Sequence, residues 1–200
     1  MRRRERERAL TVRLIRSVPE VEPQLEPPDP LPRLEPVDDL ERRVAHVKPI
    51  LTLVLGTSTG WALRWDKDHL ASGVEVFSGD RNAGLGTRLV GFRDWLQELL
   101  DLTGAVLVGY ENPRSRKDGA RAFVHNLEGV LLTELEGKTS YVCPRAESVG
   151  KVAVGRRREA SCTELIAAAR RRWKKKVTSG QEARALCVLA WVLDAVGEPR

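Results

Sequence analysis

Leu51-Thr52-Leu53-Val54-Leu55-Gly56-Thr57-Ser58-Thr59-Gly60-Trp61-Ala62-Leu63-Arg64-Trp65 opens the apolar part of this chain. Its first five residues predict a buried strand. Residues 56–60 supply a glycine-containing turn, and Trp61-Ala62-Leu63-Arg64-Trp65 predicts a second strand running back along the first. Asp66-Lys67-Asp68-His69 reverses the chain again, and Gly73-Val74-Glu75-Val76-Phe77 reads as a third short strand. Residues 51–77 thus read as an antiparallel meander.

Beyond the meander the hydrophobic period changes. Leu89, Phe92, Leu96, Leu99 and Leu100 carry helix spacing over 86–102, and Phe123, Val124, Leu127, Leu131 and Leu135 carry it over 120–136. Between them, 105–110 is almost wholly apolar until Gly109, the pattern of a central parallel strand covered on both faces, and Glu111 follows at its carboxyl end. A strand over 139–142, ending near Pro144, and helices over 160–173 and 181–196 complete the order: three strands, helix, strand, helix, strand, helix, helix. Short connections and β-α-β portions predict an α/β domain with a mixed sheet.

Two hundred residues allow one full domain with an appendage, and eight of the eleven prolines fall within residues 1–50. We therefore expect an extension over 1–49 and the folded domain over 50–200. Residues 2–16 mix arginine and glutamate ahead of Leu10, Val12, Leu14 and Ile15, predicting a short helix or a strand added to a protein partner. Residues 19–36 form a proline-rich, acidic, extended linker, and Asp38 or Asp39 caps a short helix through Leu40, Val44 and Val47. Cys143, Cys162 and Cys187 are too widely spaced for a disulfide scaffold or a close-spaced zinc site. No apolar run reaches the roughly 18 residues of a membrane span, and the arginine-rich start lacks the apolar segment of a secretory signal, so the expected location is cytoplasmic.

Val54-Leu55-Gly56-Thr57-Ser58-Thr59-Gly60-Trp61-Ala62 resembles the first strand and turn of the RuvC-like Holliday-junction resolvases, where an aspartate precedes Leu-Gly and the turn leads to Gly-Trp-Ala. Glu111 resembles the second acidic position of that family, and Leu127-Glu128-Gly129-Val130-Leu131 the helix after it. Gln181-Glu182-Ala183-Arg184-Ala185-Leu186 is similar to the final-helix pattern Asp-Glu-Ala-Asp-Ala-Leu. The resemblance covers residues 50–197. It implies a ribonuclease-H-like mixed β-sheet with helices packed on both faces. A Gly-Thr-x-Thr-Gly turn also occurs in sugar-kinase and actin-like phosphate loops, but those folds require a duplicated domain and a longer chain.

In that family, carboxylates of the first strand, the fourth strand and the last helix hold two divalent metals on the phosphate to be cut. Carried over position by position, Val54 stands at the first aspartate, and Gln181 and Arg184 stand at the two acids of the last helix. Glu111 is then the only retained carboxylate. Val54 offers no oxygen, Gln181 offers a neutral carbonyl, and Arg184 places a positive charge where a metal would sit. The resemblance therefore implies a disabled nuclease centre with no cofactor, in which Arg184 pairs with Glu111 instead. The alternative is an active, metal-dependent crossover-junction endodeoxyribonuclease using Mg²⁺ or Mn²⁺ on relocated ligands such as Glu111 and Glu182. Against it, the apolar face through Ala185, Leu186 and Leu189 fixes the helix rotation, and Asp66 and Asp68 lie beyond the second strand. A third reading is a structural protein that uses the fold for protein contacts.

The formal charge of +6 and a pI near 9.5 permit attraction to phosphate, and its distribution nominates the contacts. Arg114, Arg116 and Lys117 follow Glu111. Lys151, Arg156, Arg157 and Arg158 form one basic group, in a segment similar to the lysine- and glycine-containing segment of the family. Arg170, Arg171, Arg172, Lys174, Lys175 and Lys176 form a second, with Trp173 inside it as a base-stacking or packing residue. The expected partner is DNA or structured RNA, and the family commonly forms homodimers. His125 reads as a partly buried packing residue rather than a ligand.

Overall fold

All five residues of strand β1 (Ile50–Val54) are buried, so β1 must be covered on both faces. It pairs antiparallel with β2 (Ser58–Arg64), which pairs antiparallel with β3 (Leu70–Val76). This is the expected meander. A computed structural model describes residues 49–77, 84–113, 121–156 and 159–197. The extension, linker and short helix expected over 1–48 lie outside the described residues, as do Arg114, Arg116, Lys117, Arg157 and Arg158.

Two strand boundaries differ from the sequence reading. Thr59 and Gly60 belong to β2 rather than to the turn, because Val54 pairs with Gly60 and the reversal is confined to 55–57. The Thr59 hydroxyl donates to the Gly56 carbonyl at 3.0 Å and ties that reversal. β3 begins at Leu70 rather than Gly73, since Leu70 already pairs with Arg64. Its residues are half-buried on a sheet edge, where the alternation that marks a strand is weak. Between β2 and β3 the Asp66 carboxylate accepts the backbone N–H groups of Asp68 and His69 at 2.8 and 2.9 Å, the local bonding that favours aspartate in a turn.

Helix α1 (Leu85–Thr103) leads to β4 (Leu107–Tyr110), which pairs parallel with β1, and α2 (Arg121–Leu135) leads to β5 (Ser140–Val142), parallel with β4. The sheet order is β3-β2-β1-β4-β5. Three helices follow β5 rather than the expected two: α3 (Ala146–Val154), α4 (Cys162–Trp173) and α5 (Gly180–Ala195). At nine residues, α3 is too short to display a full apolar period, and its buried side consists of Ala146, Val149 and Gly150.

The helices divide between the two faces, as the resemblance implies. Phe92, Leu96, Leu127, Leu131 and Leu135 from α1 and α2 join Leu51, Leu53 and Val108 on one side. Residues of α3, α4 and α5 join Ile50, Val54 and Leu107 on the other. Helix α5 is the pivot, with Ala183, Ala185, Leu186, Cys187, Val188, Leu189, Ala190, Val192 and Leu193 all buried. Two glycines allow it to lie close to the sheet: a β-carbon at Gly60 would run into the Gln181 carbonyl, and one at Gly109 would stand 2.7 Å from Val192 Cγ2. Such a collision costs about 1–3 kcal/mol when the backbone must shift.

Helix α4 is fixed at both ends. A capping box joins Ser161 and Glu164, and after the left-handed Lys174 the Arg170 Nε donates to the Val177 carbonyl at 2.8 Å.

Candidate functional site

The last residue of β1 and the residue after β4 are neighbours. Leu53 pairs with Tyr110, and the Glu111 N–H donates to the Leu53 carbonyl at 3.2 Å, so Val54 and Glu111 follow side by side at the carboxyl ends of two parallel strands. In open α/β sheets this is where ligands bind. Above them passes the first turn of α5. The Gln181 backbone lies over Gly60, the β2 partner of Val54, and Arg184 follows one turn later on the same side. The fold thus brings Val54, Glu111, Gln181 and Arg184 to one end of the sheet, as their sequence positions anticipated.

Their chemistry is that of an ion pair. Arg184 Nη1 donates to Glu111 Oε1 at 2.8 Å, with the Glu111 side chain only 2% exposed and that of Arg184 18%. Val54 is fully buried among apolar neighbours. A second carboxylate, Glu159, stands 3.5 Å from the same Arg184 nitrogen. Sequence reasoning missed it: Glu159 lies between α3 and α4, directly after an arginine run, and no periodicity marks it. Ala146, Val149, Ala160 and Leu165 wall the small cleft around these three charged residues.

This donor set does not fit a pair of Mg²⁺ or Mn²⁺ ions. Each demands near-octahedral hard oxygen ligation at about 2.0–2.1 Å. Here Val54 gives no donor, Gln181 gives only a neutral amide, and a guanidinium holds the buried carboxylate. Glu182 is engaged elsewhere: it accepts from the Ser72 hydroxyl at 2.7 Å and stands 3.6 Å from Lys175 Nζ. Ser72 is on β3, three strands from β4, and at about 4.8 Å per strand that is roughly 14 Å across the sheet. Among the described residues, no group of three His, Cys, Asp or Glu side chains could hold a metal ion.

The basic candidates divide by their contacts. Arg172 Nη2 lies 3.2 Å from Asp194 Oδ1, with its guanidinium 5.4 Å from the Trp173 ring centroid. Trp173 is half-buried, and its Nε1 donates to the Leu186 carbonyl at 3.3 Å. Lys175 Nζ donates to the Ser72 hydroxyl at 2.6 Å, and Arg170 ties the end of α4. Lys151, Arg156, Arg171, Lys174 and Lys176 are exposed and make no hydrogen bond or ion pair to another described residue.

On the opposite face of the sheet, His125 Nδ1 lies 3.2 Å from Glu128, which also accepts from the Tyr110 hydroxyl at 3.3 Å. Burial pushes the Tyr110 phenol up, and it likewise pushes the Cys187 thiol up, to about 12.

No family model and no curated protein matches this sequence. Solved structures do match its fold. The Thermus thermophilus RuvC structure superposes with a TM-score of 0.59 at 17% identity, covering 72% of this chain and 92% of that one. T. thermophilus RuvC in complex with Holliday junction substrate gives 0.60 at 14% identity, covering 76% and 98%. The yeast mitochondrial Holliday junction resolvase gives 0.51 at 9% identity, covering 80% and 87%. With its mixed five-stranded sheet, two layers of helices and these structural neighbours, the chain carries the RuvC-like form of the ribonuclease-H fold.

Proposed function

We propose that this chain is a nucleic-acid-binding, catalytically inactive relative of the RuvC resolvases that holds DNA or structured RNA without metal. One observation carries the reading: the carboxylate at the end of β4 is neutralised by Arg184, a residue of the chain itself, at 2.8 Å. A guanidinium in that place removes the need for a cation to stabilise the cluster, and it cannot activate water as a metal does. A structural neighbour was solved with a Holliday junction substrate, and exposed basic residues, Arg171, Lys174 and Lys176, follow one another along the end of α4. The same proposal includes a cytoplasmic location, a homodimer and a protein partner for residues 1–49.

The test is native-gel binding of the full chain to a labelled four-way DNA junction in EDTA, with equal-length duplex and structured RNA as competitors. A parallel incubation with Mg²⁺ or Mn²⁺ looks for cleavage. Retained nucleic acid without cleavage is expected. Metal-dependent cutting that disappears in Glu111→Gln would establish the active nuclease instead. No retention at moderate salt would leave the fold as a scaffold for protein contacts.

A further inference from the structure

The charges around Arg184 are layered. Glu111 is the innermost at 2% side-chain exposure, Arg184 is intermediate at 18%, and Glu159 is the outermost at 53%. The inner contact is a hydrogen bond of 2.8 Å, whereas the outer one is a looser approach of 3.5 Å. Both use Nη1, so Nε and Nη2 of Arg184 have no partner among the described residues.

We propose that Arg184 binds a phosphodiester of the nucleic acid and that Glu159 is the intramolecular anion this phosphate displaces. The inference rests on the nucleic-acid-binding reading above and assigns a ligand and a gate to the same cleft. A guanidinium presents a planar fork of donors that fits two phosphate oxygens at once. Glu111 cannot be the anion that leaves, because parting the pair would strand a buried carboxylate. Glu159 can: it is half-exposed, and it lies outside α3 and α4, so its departure breaks no helical hydrogen bond. With all three residues ionised, the cluster carries one net negative charge and repels phosphate. With Glu159 withdrawn, the remaining pair is neutral and offers unused donors. The apolar walls formed by Ala146, Val149, Ala160 and Leu165 strengthen whichever anion occupies the cleft.

The experiment measures the affinity of the full chain for fluorescein-labelled junction and duplex DNA in EDTA. The proteins are wild type, Glu159→Gln, the pair Glu111→Gln/Arg184→Gln, and the triple variant combining all three. Removing a partly exposed competitor is expected to tighten binding about two- to fivefold in the wild-type background. The same change without Arg184 should give no gain. Equal gains in both backgrounds would reduce Glu159 to a general repulsive charge and overturn the gate, as would no gain in either.

If the variants lacking Arg184 do not fold, as judged by thermal melting, the Arg184 Nε–Hε resonance of the wild-type protein decides. Its signal, assigned by its loss in Arg184→Lys, should shift on titration with a thymidine tetranucleotide and not with thymidine. An unmoved signal overturns the proposal. Absence of binding by every protein would overturn the nucleic-acid reading as well, whereas wild-type binding indifferent to position 159 overturns only this inference.

Discussion

The hydroxyl of Thr52, fully buried in the middle of β1, donates to the Ala185 carbonyl of α5 at 2.9 Å, with the Ala62 carbonyl 3.2 Å away. Ala185 follows Arg184 directly, so this bond sets the height and rotation at which α5 carries Arg184 over Glu111. Thr52→Val keeps the shape and removes the donor. It is expected to cost about 1 kcal/mol, the net worth of one buried hydrogen bond. For a domain of this size that lowers Tm by roughly 2–4 °C. An unchanged melting temperature would mean that apolar packing alone positions the helix.

Breaking the central pair should be more damaging than removing it. Glu111→Gln leaves Arg184 without its buried partner and is expected to cost about 2–3 kcal/mol, the lower part of the range for a buried pair because Arg184 reaches solvent. Glu111→Gln/Arg184→Gln removes both charges and should lose less than the sum of its parts. A urea-denaturation double-mutant cycle measures the coupling. Additive losses would show that the 2.8 Å contact carries no special weight.

The metal argument can be tested in the direction of gain. Val54→Asp/Gln181→Asp/Arg184→Asp would set four carboxylates, with Glu111, around the ends of β1 and β4. Binding to the folded state raises Tm with ligand concentration, and at about tenfold excess over Kd the gain is roughly 1.4 kcal/mol. Mn²⁺ should therefore stabilise this variant and leave wild type unmoved in differential scanning fluorimetry. A wild type that responds equally would place a metal site among residues other than these four.

The sequence was legible where burial imposes a period and less so where short or solitary residues matter. The alternation and glycines of 51–77 carried the meander, and the near-continuous apolar run before Glu111 carried the central parallel strand. Position-by-position resemblance brought Val54, Glu111, Gln181 and Arg184 together before their geometry was known. Helix α3 escaped because two alanines and a glycine make up so much of its nine residues that its apolar face is faint. Glu159 escaped because its contact with Arg184 joins positions 25 residues apart through tertiary structure alone. The basic run 170–176 read as one surface, yet Arg170, Arg172 and Lys175 are tied within the protein, a division set by which side of α4 and its following loop each residue occupies.

That division predicts two kinds of alanine variant. Arg171, Lys174 and Lys176 are exposed, so replacing each should weaken nucleic-acid binding without moving Tm. If each contacts one phosphate, the slope of log K against log salt should lose about 0.9 per residue. Lys175→Ala and Arg170→Ala should instead lower Tm, because they release Ser72 with Glu182 and the end of α4. Fluorescence anisotropy at several salt concentrations, together with melting curves, separates the two sets. Equal salt-slope losses from both would show that the internal ties yield to the ligand.

Cys187 gives the domain a pH dependence whose sign follows from its burial. The thiol is 3% exposed, its sulfur lies 3.8 Å from the Leu165 carbonyl, and burial raises its folded pKa from 9.0 to about 12. Above pH 9 the unfolded thiol gives up its proton while the folded one keeps it, so the unfolded state binds fewer protons and stability falls with rising pH. The contribution is fully present below pH 9 and is lost toward pH 12, at about 1.4 kcal/mol per unit as an upper slope. The Tyr110 phenol, also raised by burial, adds a loss of the same sign from its ordinary value of 10.0 upward. Urea midpoints at pH 8 and pH 10.5 should differ less in Cys187→Ala than in wild type, even though the alanine protein starts less stable. At pH 8 a thiol reagent should modify exposed Cys162 and spare Cys187 until urea unfolds the chain. Equal pH slopes in the two proteins, or rapid native modification of Cys187, would mean that α5 opens locally and lets the thiol ionise in place.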